Sequence, residues 1–368
     1  MKAPVKSMNR LEIHYLLTNI KGVLIFILVY YHFLSSVINA DGGANIAGLG
    51  RTGALLIAPI VMAMLCAVPL FVFISGYGAK NTDACRETAF SLYFIPYLLL
   101  SVLMAVEYGI VNGFPMYFFP FEPLMQLWYL MAMFLWMLLL KDLARIKGIF
   151  VVSYLVSLLI GMYFNNAVVI ASSGADTFLS LFRTLYFLPF LLIGFFTKAD
   201  AFSGIRRTKP IVGLAAAAAF VAASVGLMAL CCRKNAANFH VLLLMKGDGE
   251  YRNHLSGVTN LQSNLLGAGL TVCLTVLCLL LAAVAIRFMP KKKIPLLTRL
   301  GDASLTVFSL HVFVTIPLSG LIAKLDVWYA CLVDAAATAL LCLLLSWHPV
   351  HKAYSRFVFR LGEIVQNK

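Results

Sequence analysis

Long apolar runs recur from one end of this chain to the other. They fall near residues 20–38, 53–77, 90–111, 124–140, 148–165, 177–197, 211–230, 265–288, 302–322 and 327–347. Each is about the length a helix needs to cross the hydrocarbon core of a bilayer. The pattern predicts an all-α integral membrane protein with about ten transmembrane helices. The connections between runs are short and polar. The longest, about 231–264, is mixed in charge and carries a short apolar "HVLLLM" that can dip into the interface or pack on the bundle. No segment reads as a separate soluble domain, so a single membrane domain over 1–368 is expected. The first run is too long for a signal-peptide core and has no small-residue cleavage site after it, which makes it a retained helix.

Composition agrees: 62% of the 368 residues are hydrophobic, only 12% are charged, and mean hydropathy is +0.92. The net charge of +14 would suit a nucleic-acid binder, but the distribution of the charges speaks against that. With the N-terminus inside, twenty-two of the twenty-nine Lys and Arg residues lie at the inner ends or in the inner connections of the runs. Six lie outside and one, Arg183, sits within a run. That asymmetry is the positive-inside signature, and an even number of spans puts both termini in the cytoplasm. The eight cysteines show no metal-ligand spacing, and most sit in apolar runs, where they read as packing residues.

The chemistry rests on the few ionisable groups inside the runs, because such groups are costly in hydrocarbon and by default mark a functional interior. They are His32, Glu107, Arg183, His311 and Asp334. His32 lies eleven residues above Lys21, roughly 16 Å at the rise of a helix, and His311 reaches a similar depth in the ninth run. Arg183, Glu107 and Asp334 belong nearer the outer edge. A neutral imidazole can take a proton from a hydroxyl near neutral pH, and an Arg can stabilise negative charge. The set suits acyl transfer to an alcohol. It equally suits a transporter or flippase that relays protons through His and Glu, and a non-catalytic membrane anchor or sensor stays open on these residues alone.

Five stretches carry a resemblance. "NIKGVLIFILVYYHF" (19–33) has a basic residue, ten intervening positions and a His. It resembles the R/K-x10-H signature of the membrane acyltransferase-3 family, the integral-membrane O-acyltransferases of bacterial envelope glycans. "VPLFVFISGYGAKN" (68–81), "LWYLMAMFLWMLL" (127–139), "RTLYFLPFLLIGFF" (183–196) and "GDASLTVFSLHVFV" (301–314) are similar, in order, to further segments of the sugar O-acetylase branch. The resemblance implies acetyl-CoA as acyl donor on the cytoplasmic side and a carbohydrate or glycolipid hydroxyl as acceptor. It implies no metal, and a multi-pass location in a bacterial cytoplasmic membrane. His32, Arg183 and His311 become the expected catalytic residues. Lys21, which stands where Arg is more frequent, is expected to meet the donor with Lys80 and Arg86, and Glu107, Trp128 and Asp334 to meet the acceptor. In "ISGY", Ser75 and Gly76 read as a small-residue helix contact in preference to an acyl-enzyme serine. Membrane lipids are partners by necessity, nucleic acid is not expected, and oligomers are compatible with the pattern.

Overall fold

A computed structural model describes residues 8–39, 50–113, 119–163, 178–231, 259–322 and 324–366, with isolated positions between 244 and 255. The helices in chain order are α1 (Arg10–Asn39), α2 (Gly50–Gly78), α3 (Thr82–Ala89), α4 (Ile95–Asn112), α5 (Trp128–Leu143), α6 (Ile149–Tyr163), α7 (Leu181–Phe196), α8 (Ala199–Arg207), α9 (Pro210–Cys231), α10 (Asn260–Phe288), α11 (Pro295–Asp302), α12 (Ser304–Leu310), α13 (Val312–Ile322), α14 (Val327–Leu345) and α15 (His348–Gln366). A π-helical turn, Phe90–Phe94, joins α3 to α4, and a 3-10 turn, Met125–Leu127, leads into α5. No strand occurs among the described residues.

Eight helices are long and apolar enough to cross a membrane, and α12 with α13, bent 54° against each other, make a ninth if the pair is counted as one span. The tenth expected span is represented by α6, whose fifteen residues are too few to cross unaided. The remainder of that run lies outside the described residues, as does most of the long polar connection. What is described of that connection packs inward. Leu244 and Tyr251 are buried, and the Tyr251 ring lies over Gly161 of α6 and Gly267 of α10, with its hydroxyl 3.0 Å from Thr271 Oγ1.

The basic connections meet at one end of the bundle. Lys291 Nζ pairs with Glu12 at 2.5 Å, Arg86 pairs with Asp142, and Lys141 with Asp83. Arg206 Nη1 donates to the carbonyls of Ile286, Arg287 and Met289 at 3.0, 2.7 and 2.7 Å, a cation on the negative end of the α10 dipole. Helix contacts elsewhere are backbone to backbone: a side chain on Gly76 would collide with the Leu191 carbonyl, and one on Gly194 with that of Phe73. Small residues there let α2 and α7 touch, which is how membrane helices gain packing without a hydrophobic drive.

A hydrogen-bonded anchor joins α1 to α11. Asn19, fully buried, donates through Nδ2 to the carbonyls of Pro290 (2.9 Å) and Lys292 (3.0 Å). Its Oδ1 accepts from Thr298 Oγ1 at 2.7 Å, and Thr298 in turn accepts from the Ile294 amide at 2.9 Å. Gly22 faces the Leu297 carbonyl and Gly301 faces that of Thr18 with no room for a Cβ. Asn19→Leu keeps the branched shape but leaves the Pro290 and Lys292 carbonyls without their donor and the Thr298 hydroxyl without its acceptor. It is expected to lower stability by roughly 2–4 kcal/mol, read as a fall in the thermal unfolding midpoint in detergent. An unchanged midpoint would show that the anchor is dispensable.

Candidate active site

The α1–α11 anchor sets a register. His32 lies thirteen residues beyond Asn19, and His311 thirteen beyond Thr298. Backbone hydrogen bonds of helical spacing continue from α11 through the joints, Ala303 to Arg299, Val307 to Ala303, His311 to Val307 and Thr315 to His311, all 2.9–3.0 Å. Two chains leaving one anchor in the same direction for the same number of residues bring their histidines level. The imidazole centroids stand 5.0 Å apart with an interplanar angle of 34°.

The two rings differ in environment. His311 is completely buried, and its Nδ1 lies 2.7 Å from the Phe308 carbonyl and 3.1 Å from that of Val307. Carbonyls only accept, so Nδ1 carries the proton and Nε2 keeps its lone pair. That Nε2 has no hydrogen-bond partner among the described residues. The side chain shares the Val307 carbonyl with the helix ladder, and the 54° bend falls at His311, between α12 and α13. His32 is half-buried, and its Nδ1 is 3.1 Å from the side-chain amide of Gln126. A carboxamide donates at one end and accepts at the other, so Gln126 orients the ring and can hold either neutral tautomer.

Gln126 comes from a short irregular segment that dips into the bundle ahead of α5. Glu122, Leu124 and Leu127 of this segment are all buried. Non-helical backbone at such depth persists only where protein or a cavity surrounds it. Met125, next to Gln126, has φ 44°, and Leu179 and Ser180, just before α7, have φ 56° and 48°. These are the positive-φ residues other than glycine among the described residues, and all three flank the site. Strain of this kind survives where the surroundings over-determine it, as they do around functional sites. Trp128, two residues beyond Gln126, has the Arg183 guanidinium 5.1 Å from its ring centroid. The Trp136 indole donates to the Thr184 carbonyl at 3.0 Å, fixing the first turn of α7 that carries Arg183. One turn of chain thus ties His32 and Arg183 together.

The other expected site residues lie elsewhere. Asp334 is buried in the seam between α14 and α1, with both carboxylate oxygens unpartnered among the described residues. Tyr30, two residues from His32, donates to the Cys331 carbonyl in that seam at 3.3 Å. Glu107 is half-buried on α4, with its Oε2 unpartnered among the described residues. Lys21 is half-buried on α1 with Asp302 as its acidic neighbour. Lys80 closes the end of α7, donating to the Gly194 and Thr197 carbonyls at 3.4 and 2.9 Å and to that of Phe195, and its burial draws the ammonium pKa below the usual lysine value. Arg86 donates to the Leu138 carbonyl at 2.9 Å as well as to Asp142. Ser75 shares a 3.1 Å hydrogen bond with the Tyr129 hydroxyl, and Tyr129 and Phe308 stand between it and His311.

Gln126 and Glu122 were not among the residues expected from the sequence. Glu122 is buried with neither carboxylate oxygen partnered among the described residues. The available signal was two polar residues in "FEPLMQLWYL", an apolar segment opened by Pro and closed by the Trp motif. A small cleft lies between α2, α6, α7 and α10 and is lined by Pro69, Tyr154, Tyr186, Phe187 and Thr271 among others. Phe187, stacked on Trp128 at 5.5 Å, separates it from the Arg183 turn.

Comparison with known protein families matches residues 14–347 to an acyltransferase domain of the acyltransferase-3 type. No curated protein and no solved structure matches the chain.

The unequal burial of the two rings has a chemical consequence. Diethyl pyrocarbonate is expected to modify His32 on the order of tenfold faster than His311, whose ring must wait for local opening. Gln126→Ala should speed the reaction at His32 further. Peptide mass mapping after timed exposure checks both, and equal rates at the two histidines would contradict the arrangement.

Proposed function

The chain belongs to the acyltransferase-3 family and is a multi-pass membrane acyltransferase, and from that premise we propose that it moves an acetyl group from acetyl-CoA to a hydroxyl of a cell-envelope carbohydrate or glycolipid in the bacterial cytoplasmic membrane. The observation that carries this reading is the level pair of imidazoles, His32 held by Gln126 and His311 held by two carbonyls, with one unoccupied ring nitrogen in the interior.

In this reading His32 is the base. It takes the proton of the acceptor hydroxyl as that oxygen bonds to the thioester carbonyl carbon, and the imidazolium returns the proton to the departing sulfur when the C–S bond breaks. No net proton is gained or lost, so a residue that accepts and then donates is sufficient. With the Gln126 carboxamide turned so that its oxygen accepts from His32 Nδ1–H, His32 Nε2 is left as the basic nitrogen, and His311, in the Nδ1–H tautomer, keeps an Nε2 lone pair that can steady the imidazolium once it forms. Arg183, held against Trp128, offers its guanidinium to the charge that develops on the carbonyl oxygen. Lys21 lies eleven residues below His32, roughly 16 Å along the helix, on the side of the basic connections. It fits the phosphate end of a donor whose flexible arm runs up the bundle. Lys80 and Arg86 already donate to carbonyls and to Asp142, so Lys21 is the favoured donor contact of the three. Glu122, in the segment that carries Gln126, has carboxylate oxygens unpartnered among the described residues that can meet acceptor hydroxyls.

Purified protein in proteoliposomes, given labelled acetyl-CoA and candidate glycans, should transfer label and release free CoA. His32→Ala is expected to lower transfer by about 10²–10⁴-fold. Gln126→Leu should lower kcat about tenfold with little change in KM for the donor, because it disturbs orientation and leaves the base in place. Full transfer by His32→Ala would remove His32 from the chemistry. Glycan uptake into the vesicles that does not depend on CoA would favour transport instead.

A further inference from the structure

Among the described helices of eighteen or more residues, α15 alone is too polar to span a membrane. Its residues sort onto three faces. The first is made by His351, Tyr354, Val358 and Gly362, three or four residues apart, and it lies against the bundle. His351 Nδ1 is 2.8 Å from Thr306 Oγ1, the Tyr354 hydroxyl donates to Ser309 Oγ at 2.7 Å, Val358 is buried and Gly362 abuts Ser91. Burial pushes the Tyr354 phenol up to about 12, so it stays a donor throughout the physiological range. The second face is an apolar flank: Phe357 is 48% exposed, one heptad beyond Val350. The third carries Lys352, Arg356 and Arg360, all exposed at i, i+4 and i+8, with Glu363 as the acidic residue beside them. Trp347, just before the helix, and Phe359 are also exposed, at 56% and 66%.

A helix with one docked face, one apolar flank and one basic face matches the boundary between hydrocarbon and headgroups. Its location agrees, because its neighbours include the Phe90–Phe94 turn, which follows the basic connection between α2 and α4, together with α4, α12 and α14. Positive-inside bias alone would scatter basic residues over the segment, whereas here they form one line. The docked face also touches a specific target. Thr306 and Ser309 are two of the seven residues of α12, the short helix that ends at His311.

We propose that α15 binds the anionic phospholipid headgroups of the inner leaflet through Lys352, Arg356 and Arg360, and that this binding, relayed by Tyr354–Ser309 and His351–Thr306, holds α12 and so the placement of His311. The lipid contact is independent of the reaction proposed above; only the consequence of placing His311 rests on it.

The test compares full-length protein in nanodiscs of phosphatidylcholine with protein in nanodiscs containing phosphatidylglycerol, followed by amide hydrogen exchange. Phosphatidylglycerol should slow exchange about threefold or more in both 348–363 and 304–310, and high salt should erase the effect. The combined Lys352→Gln, Arg356→Gln, Arg360→Gln variant should exchange equally in the two bilayers. Tyr354→Phe should keep the slowing in 348–363 and lose most of it in 304–310. Equal exchange of the wild type in both bilayers, or a lipid effect that survives the combined variant, would overturn the lipid site. Inorganic phosphate reproducing the effect in neutral nanodiscs would overturn the leaflet as the partner. Lipid slowing at 304–310 that ignores Tyr354→Phe would overturn the relay. None of these exchange rates depends on acyl transfer, so a failure here is distinct from a failure of the proposed reaction.

Discussion

A single buried asparagine sets the height of both histidines. Asn19 satisfies two carbonyls of the connection after α10 and the hydroxyl of Thr298, and the glycines on either side let α1 and α11 meet at backbone distance. In a membrane there is little hydrophobic force to hold helices in register, so polar contacts and close packing must do it. With the anchor fixed, equal path lengths of thirteen residues deliver His32 and His311 to the same level. A slip of one residue would rotate a helical side chain by about 100° and part the rings.

The rest of the site follows from the cost of polar groups in hydrocarbon. A charged imidazole buried without a counter-ion is expensive, so neutral rings are the stable arrangement: two carbonyls fix the tautomer of His311, and Gln126 orients His32. His311 takes its partner from its own helix and bends it. His32 takes its partner from Gln126, which requires an irregular, buried approach to α5 and a left-handed Met125. The same kind of approach, with left-handed Leu179 and Ser180, opens α7 and presents Arg183 to Trp128. Family membership supplies the class of reaction, and the roles proposed within it are argued from these contacts.

Much of this was legible in the sequence, for physical reasons. Spans are written as length and apolarity, so the all-α membrane architecture could be read directly, and the short α6 is the place where the count of about ten stands ahead of the eight or nine crossings described. The matched depth of His32 and His311 followed from helical rise alone. Their convergence depended on Asn19–Thr298, a contact 279 residues apart in sequence that leaves no periodic trace. Gln126 was passed over because it lies at the start of the 124–140 run and its carboxamide carries no charge. Basic residues were ambiguous for another reason: a Lys that caps a helix, as Lys80 does, and a Lys that meets a phosphate look alike in a basic loop. The C-terminal helix escaped notice because it spans nothing, and its packing face shows only once α12 is in place.

The central claim is that His32 and His311 act as one unit on one hydroxyl. It is tested most directly by a double-mutant cycle on transfer efficiency, kcat/KM, with His32→Ala, His311→Ala and the combined variant in proteoliposomes supplied with labelled acetyl-CoA. Residues that act as a unit are strongly non-additive, so the combined variant should be no slower than the worse single variant. Losses that multiply, with the combined variant slower by the product of the two single effects, would contradict the account.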